Sequence, residues 1–221
     1  MALSKTNPFP FFTSVVVNWR SAWKQPSFRI QLVICILLII SFGFFFPFFF
    51  DYIESRDGER LNDFILNRIP PKDVSWMVFL LLYLGICIGM LCNLVKPKNF
   101  LIAMEVYCIV TMLRILSILL IPLNPPFGYI PLKEPFVALF INGTRIISKD
   151  LFFSGHASTI VTIYFSVEQR HFKNIILIFS IMVGTLLLVQ HVHYTIDVIV
   201  APVAVFFCYL LSKKVFTKDI L

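Results

Sequence analysis

Apolar residues gather into uninterrupted runs at about 29–50, 74–95, 99–121, 151–168, 174–191 and 194–212, parted by short polar connections. A hydrocarbon core of about 30 Å takes roughly 20 apolar residues per helix, so runs of this kind read as bilayer crossings. Backbone amides in lipid have no water to bond, which makes each run helical whatever its content of Val, Ile and Phe. The pattern therefore predicts an all-α, polytopic membrane protein: a six-transmembrane-helix bundle forming a single domain over residues 1–221. The first run reads as a retained span rather than a cleaved leader. Within it, Phe44 to Phe50 is expected to face lipid, with Pro47 close to the helix end. Between Pro122 and Lys149, the residues Pro122, Pro125, Pro126, Pro131 and Pro135 forbid a continuous helix in the first half. That loop either walls the entrance to a membrane-surface site or is a stiff connector.

Composition narrows the class. The chain is 58% hydrophobic and 14% charged, with a mean hydropathy of +0.86, which excludes an ordinary water-soluble domain. A net charge of +7 and a pI near 9.3 raise the question of a nucleic-acid partner. The basic residues, however, sit in small clusters between the apolar runs, as orientation signals do, and no nucleic acid is expected. Lys5, Arg20, Lys24, Arg29, Lys96, Lys98, Arg170, Lys173, Lys213, Lys214 and Lys218 fall on one side of a six-span arrangement. They outnumber Arg56, Arg60, Arg68, Lys72, Lys133, Arg145 and Lys149 on the other. The first side, with both termini, is expected to be cytosolic, and the other external, periplasmic or lumenal. The phenylalanine content and compact length point to a bacterial inner membrane. Asn142-Gly143-Thr144 matches a glycosylation sequon on the external side. Cys35, Cys87, Cys92, Cys108 and Cys208 all lie in apolar segments without metal-type spacing and read as free core thiols.

Ionisable groups in or beside spans are costly and so are functional candidates. Arg114 lies toward the outer end of span three, Asp150 to His156 open span four, and His191 to Asp197 straddle the junction of spans five and six. Three distant segments thus carry their polar residues to one depth. His193 and Asp197 are four apart, which on one helix places the carboxylate beside the imidazole. An aspartate on one ring nitrogen sets the tautomer and leaves the other nitrogen to attack. A polar pair facing interfacial water is the alternative for any isolated H-x-x-x-D. Ser154-Gly155-His156 falls in a first helical turn, where free N–H groups favour an anion such as phosphate. Gly155 permits close approach, Ser154 can donate to a phosphate oxygen, and His156 can protonate a leaving oxygen.

Arg114 needs a counterion, which a bound phosphate would supply, unless the side chain snorkels. Asp150 is either an N-cap or a base for an acceptor hydroxyl. Glu105 is about 13 Å along the helix from Arg114 and belongs elsewhere. His191, on another face from Asp197, competes less well as the nucleophile. Tyr194 and Gln190 either shape the pocket or anchor the interface. A zinc site from His156, His191, His193 and Asp197 lacks a recognisable ligand spacing.

Asp150-Leu151-Phe152-Phe153-Ser154-Gly155-His156 and His193-Tyr194-Thr195-Ile196-Asp197-Val198 resemble the paired motifs of the sphingomyelin synthase-like branch of the type 2 phosphatidic acid phosphatase superfamily. Arg114-Ile115-Leu116-Ser117, followed by Pro122 and the proline-rich loop, is similar to that branch's third-span motif. The K-x6-R-P motif of the broader lipid phosphatases, and their Ser-Arg pair before the last histidine, are absent. The likeness covers residues 99–212. It implies that His193, assisted by Asp197, attacks the phosphorus of a phospholipid while His156 protonates the departing diacylglycerol oxygen, with Arg114, Ser154, Gly155 and Asp150 at the phosphate. A phosphohistidine intermediate then passes its headgroup, of phosphocholine or phosphoethanolamine type, to ceramide, diacylglycerol or another lipid alcohol, or to water. No metal or organic cofactor is implied. A lipid phosphate phosphatase and a non-catalytic transporter or scaffold are the rival expectations.

Overall fold

The structure, a computed structural model, describes residues 10–134 and 147–216. Its described residues form seven α-helices: α1 Pro10–Trp23, α2 Pro26–Ser55, α3 Ser75–Leu94, α4 Pro97–Leu120, α5 Gly155–Ser166, α6 Arg170–Val189 and α7 Thr195–Leu211. A π-helical segment, Ser212–Phe216, continues α7. Proline opens α2 and α4 at the first turn, where a missing N–H costs nothing.

Five helical segments are long and apolar enough to cross a membrane: Pro26–Ser55, Ser75–Leu94, Pro97–Leu120, Arg170–Val189 and Thr195–Val215. These match five of the six expected runs. The run at 151–168 behaves differently, because its helix starts only at Gly155 and ends at Ser166. Twelve residues give about 18 Å of helix, short of the hydrocarbon thickness. Leu151 and Phe153 are buried but lie outside the helix, and Phe152 takes a positive φ of 77°. The apolar content of this run therefore serves packing, since α5 sits against α3, α4, α6 and α7. Gly85 and Gly89, one turn apart on α3, lie against Ile160 and Ile163 of α5, where a Cβ would collide with either isoleucine. Small residues at this spacing let two helices approach closely in a membrane.

Other expectations also change. Pro47 lies inside α2, which runs on to Ser55, and Phe42 and Phe49 are buried while Phe44 and Phe48 face outward. Cys87 is exposed, whereas the other four cysteines are buried, all as free thiols. The amino-terminal segment forms α1, whose Trp19 Nε1 and Asn18 Nδ2 donate to the carbonyls of Leu94, the last residue of α3, and of Val95 just after it, at 2.7 and 2.8 Å. The Asn142-Gly143-Thr144 triplet, Pro135, Arg145, Lys5 and Lys218 lie outside the described residues.

Contacts between connections fix the alternation of direction. At one end Lys96 pairs with Glu168, joining the α3–α4 and α5–α6 turns. At the other end Lys72 N–H donates to Val189 O at 3.0 Å and Ile130 N–H to Gln190 O at 3.3 Å, joining the α2–α3, α4–α5 and α6–α7 connections. Every candidate catalytic residue lies toward this second end.

Candidate active site

The non-helical turn between α6 and α7, residues 190–194, presents His193, and its neighbours hold it in place. Gln190 is fully buried, donates to Ser75 Oγ at 2.7 Å and accepts from Val74 N–H at 3.1 Å. His191, at φ 55°, places one ring nitrogen 2.6 Å from Phe127 O and the other 2.8 Å from Ile69 O. Both its nitrogens are thereby committed to loop carbonyls, so His191 ties two connections together and is not placed to attack anything. The Tyr194 hydroxyl donates to Asn124 O at 2.8 Å and accepts from Leu61 N–H at 3.2 Å. Asp63 accepts from Thr195 N–H at 2.6 Å and from its hydroxyl at 2.9 Å, capping the start of α7 from another loop. Burial pushes the Asp63 carboxyl up, but the donors of Thr195, Leu66 and Ile65 together hold it below the ordinary carboxylate value.

His193 Nδ1 lies 3.2 Å from Asp197 Oδ2. The contact does not arise from two residues on one helical face, as the spacing suggests, because His193 precedes α7. Asp197 stands in the first turn, its Oδ2 also accepting from Tyr194 N–H at 3.1 Å. The helix-start bond swings the carboxylate back toward the residues ahead of the helix, and His193 is one of them. Both side chains are buried, at 3% and 0% exposure, and Asp197 Oδ1 has no protein partner. With Nδ1 occupied by the aspartate, Nε2 is the nitrogen left for chemistry.

The second half of the site is built on α4 and the start of α5. Arg114 Nη2 reaches both oxygens of Asp150, at 2.6 and 2.7 Å, and Nε donates to Phe153 O at 3.0 Å. Asp150 is thus the arginine's counterion and not the helix cap. The cap is Ser154, fully buried, whose Oγ accepts from Ala157 N–H at 3.3 Å. That bond uses the hydroxyl as an acceptor and leaves its O–H as a donor. Gly155 is small because of Arg114: a Cβ would lie 2.7 Å from the guanidinium carbon. Upstream, Glu54 accepts from the backbone N–H of Ser148 and Lys149 at 2.6 and 2.7 Å, fixing the irregular segment that delivers Asp150.

His156, Arg114, Asp150 and Gly155 line a cavity of about 350 Å³. Ser158, Thr159, Thr162, Thr111 and Tyr107 add hydroxyl groups to its lining, which Glu134 and Phe50 share. His156 packs edge-on against Phe79, with ring centroids 5.7 Å apart, and its buried Nδ1 has no partner. It lies within electrostatic range of His193, Asp150 and Arg114. The seven residues singled out in the sequence therefore form two adjoining units, the His193–Asp197 pair and the Arg114–Asp150–Gly155 unit, with Ser154 beneath and His156 in range of both. Among the described residues, no group of three or more His, Cys, Asp or Glu is disposed to hold a metal ion.

Residues 149–220 match the family described as PAP2 superfamily C-terminal. The matched stretch carries Asp150, Ser154, Gly155, His156, His193 and Asp197, and Arg114 lies before it. The match supports membership of the PAP2 superfamily, whose members are phosphatases and phosphotransferases, and with it an enzymatic function in the membrane. No curated protein matches the chain.

Glu134 and Asp63 escape sequence reasoning. Each is a single acid in an irregular connection, and Asp63 finds Thr195 across 132 residues, a pairing that no local pattern announces.

Proposed function

We propose that the protein transfers a phospho-headgroup, of phosphocholine or phosphoethanolamine type, from a glycerophospholipid to a lipid alcohol such as ceramide or diacylglycerol. The observation that carries this reading is the buried His193–Asp197 pair beside a polar cavity that holds both His156 and an arginine. His193 Nε2 attacks phosphorus, forming an N–P bond as the P–O bond to diacylglycerol breaks, and His156 gives its proton to the departing oxygen. Asp197 stabilises the positive charge that develops on the imidazole. In the second step the acceptor hydroxyl attacks phosphorus, its proton passes to His156, and the N–P bond breaks. Splitting one displacement in two avoids bringing both lipids to the phosphorus at once. No metal or organic cofactor enters this scheme.

The cavity's lining favours a cationic headgroup. Glu134, whose carboxylate accepts from the Tyr83 hydroxyl at 2.9 Å, shares it with the rings of Phe50 and Tyr107. A carboxylate with aromatic faces suits an ammonium or trimethylammonium group. The superfamily match keeps hydrolysis as a second reading, with water replacing the lipid alcohol. In either reading the site lies at the outer membrane face, opposite cytosolic termini, an orientation supported by the excess of Lys and Arg at the other end.

Purified protein incubated with headgroup-labelled phosphatidylcholine or phosphatidylethanolamine, with and without ceramide or diacylglycerol, tests the proposal. Label should appear in a new lipid only when acceptor is added, and His193→Ala should abolish it. Release of water-soluble label alone would exclude transfer in favour of hydrolysis, and turnover by the His193→Ala protein would remove the nucleophile.

A further inference from the structure

The end of the bundle opposite the histidines holds a second polar cavity, of about 340 Å³, that the chemistry above does not use. Its floor is made by Asn99, which is 8% exposed, and Ser166, which is 4% exposed. Ser166 Oγ accepts from Asn93 Nδ2 at 2.8 Å, so α3 and α5 are joined beneath the opening. Ile102, Phe165 and Tyr209 supply apolar walls, and Lys98, Lys213 and Glu168 stand at the rim.

The charges there are arranged, not scattered. Glu168 is engaged by Lys96 and Asn99, contacts that hold its carboxyl below the ordinary value, and Lys213 adds to the attraction. Lys96 and Lys213 both act on this one carboxylate, and Lys98 stands at the same rim. Lys213 is set in place from within: Ser212 Oγ donates to the buried Glu105 at 2.6 Å, fixing the start of the π-helical segment, and the Lys213 ammonium lies over the Tyr209 ring at 5.3 Å. Four separate segments thus bring a net positive rim to a cavity with buried amide and hydroxyl groups at its base and apolar walls toward the membrane. An inorganic ion needs no apolar wall, whereas the phosphate of a lipid needs both halves.

We propose that this cavity is a binding site for the phosphate of an anionic phospholipid in the leaflet opposite the catalytic one. Lys98 and Lys213 contact the phosphate, and Phe165 and Ile102 meet the glycerol and upper acyl carbons. The site is separate from the donor-lipid cavity, which lies at the other end of α4 and α5.

Full-length protein in nanodiscs of phosphatidylcholine, with or without phosphatidylglycerol, would be subjected to lysine acetylation and the modified sites quantified by mass spectrometry. Phosphatidylglycerol should protect Lys98 and Lys213 several-fold while leaving Lys72 at the histidine end unchanged. Because a lysine near an anionic phosphate contributes roughly a fivefold gain in affinity, Lys98→Gln should raise the phosphatidylglycerol needed to protect Lys213 by about that factor. Lys98→Arg should restore it. Equal acetylation of Lys98 and Lys213 in both nanodiscs would overturn the site. Protection by inorganic phosphate alone in phosphatidylcholine nanodiscs would overturn the lipid as its occupant.

Discussion

Gly155→Ala adds one carbon to the wall between α4 and α5, and the structure says where it goes. The new Cβ would stand 2.7, 2.8 and 2.9 Å from Cζ, Nη1 and Nη2 of Arg114. Ordinary carbon contacts are about 3.5–4.0 Å, so the guanidinium must retreat by roughly 1 Å. An arginine tip usually moves at little cost. This one is held by Nη2 bonds of 2.6 and 2.7 Å to Asp150 and an Nε bond of 3.0 Å to Phe153 O, which a 1 Å shift stretches to the edge of hydrogen-bond range or beyond. Arg114 and Asp150 are only 14% and 24% exposed, so separating them leaves a partly desolvated pair, at a cost of about 1–3 kcal/mol. Against that, alanine is better than glycine in a helix by up to about 1 kcal/mol. Stability should therefore fall by less than separating the ion pair alone would cost, while the guanidinium proposed to hold the phosphate is misplaced, and misplacement of that size near a reacting group costs on the order of 10²-fold in rate. The assay is label transfer from phosphatidylcholine in mixed micelles, run beside a thermal unfolding scan. Wild-type turnover by Gly155→Ala at an unchanged melting temperature would refute the argument that Arg114 must sit where it does.

Asp197→Asn should fold and bind lipid but lose about 10²–10⁴-fold in turnover, because the amide no longer holds the His193 tautomer or stabilises its charge; wild-type pH dependence and rate would remove Asp197 from the mechanism. Asp73 is held near 2 by donation from the Ser75 hydroxyl and by Lys133, with the Ser75 backbone N–H adding to them. A depressed folded value stabilises above the unfolded value of 3.8 and is lost as pH falls through 2, so the melting deficit of Asp73→Asn should be present at pH 7 and shrink between about pH 4 and 2. A deficit that stays constant across that window would contradict the hydrogen-bond origin of the shift. With Lys72→Cys and Lys214→Cys in separate chains, a membrane-impermeant maleimide applied to sealed vesicles should label opposite sides. Labelling of both from one side would break the alternating topology.

Most of the crossing helices were legible because a run of apolar residues in lipid has one solution for its backbone. The boundaries of α2, α3, α4, α6 and α7 fall within a few residues of the expected runs. Residues 151–168 misled because hydropathy does not say whether an apolar residue meets lipid or protein. Leu151 and Phe153 are buried against neighbouring segments, and the Ser154 cap delays the helix to Gly155. The spacing of Gly85 and Gly89 was a readable sign that something packs tightly against α3, and Ile160 and Ile163 of this short helix are what packs there. Pro47, expected close to the helix end, lies two turns inside α2, in a stretch where Phe45 stacks on Phe49 and Phe46 on Phe50.

The site was legible in its residue types and less so in its bonding. His193 and Asp197 meet, but through a helix start and not along a helix face. That difference matters chemically. A histidine in the middle of a helix would share its neighbours' motion, whereas His193 sits in a turn whose every flank is fastened from afar: Gln190 to Ser75, His191 to Phe127 and Ile69, Tyr194 to Asn124, and Thr195 to Asp63. The carboxylate that orients it is itself held by Tyr194 N–H. Preorganisation of this kind removes the reorganisation that charge development on an imidazole would otherwise demand. It also explains why the connections at this end are longer than the two-helix turns at the other: they supply the carbonyls, hydroxyls and carboxylates that a non-helical turn needs when it is buried away from water.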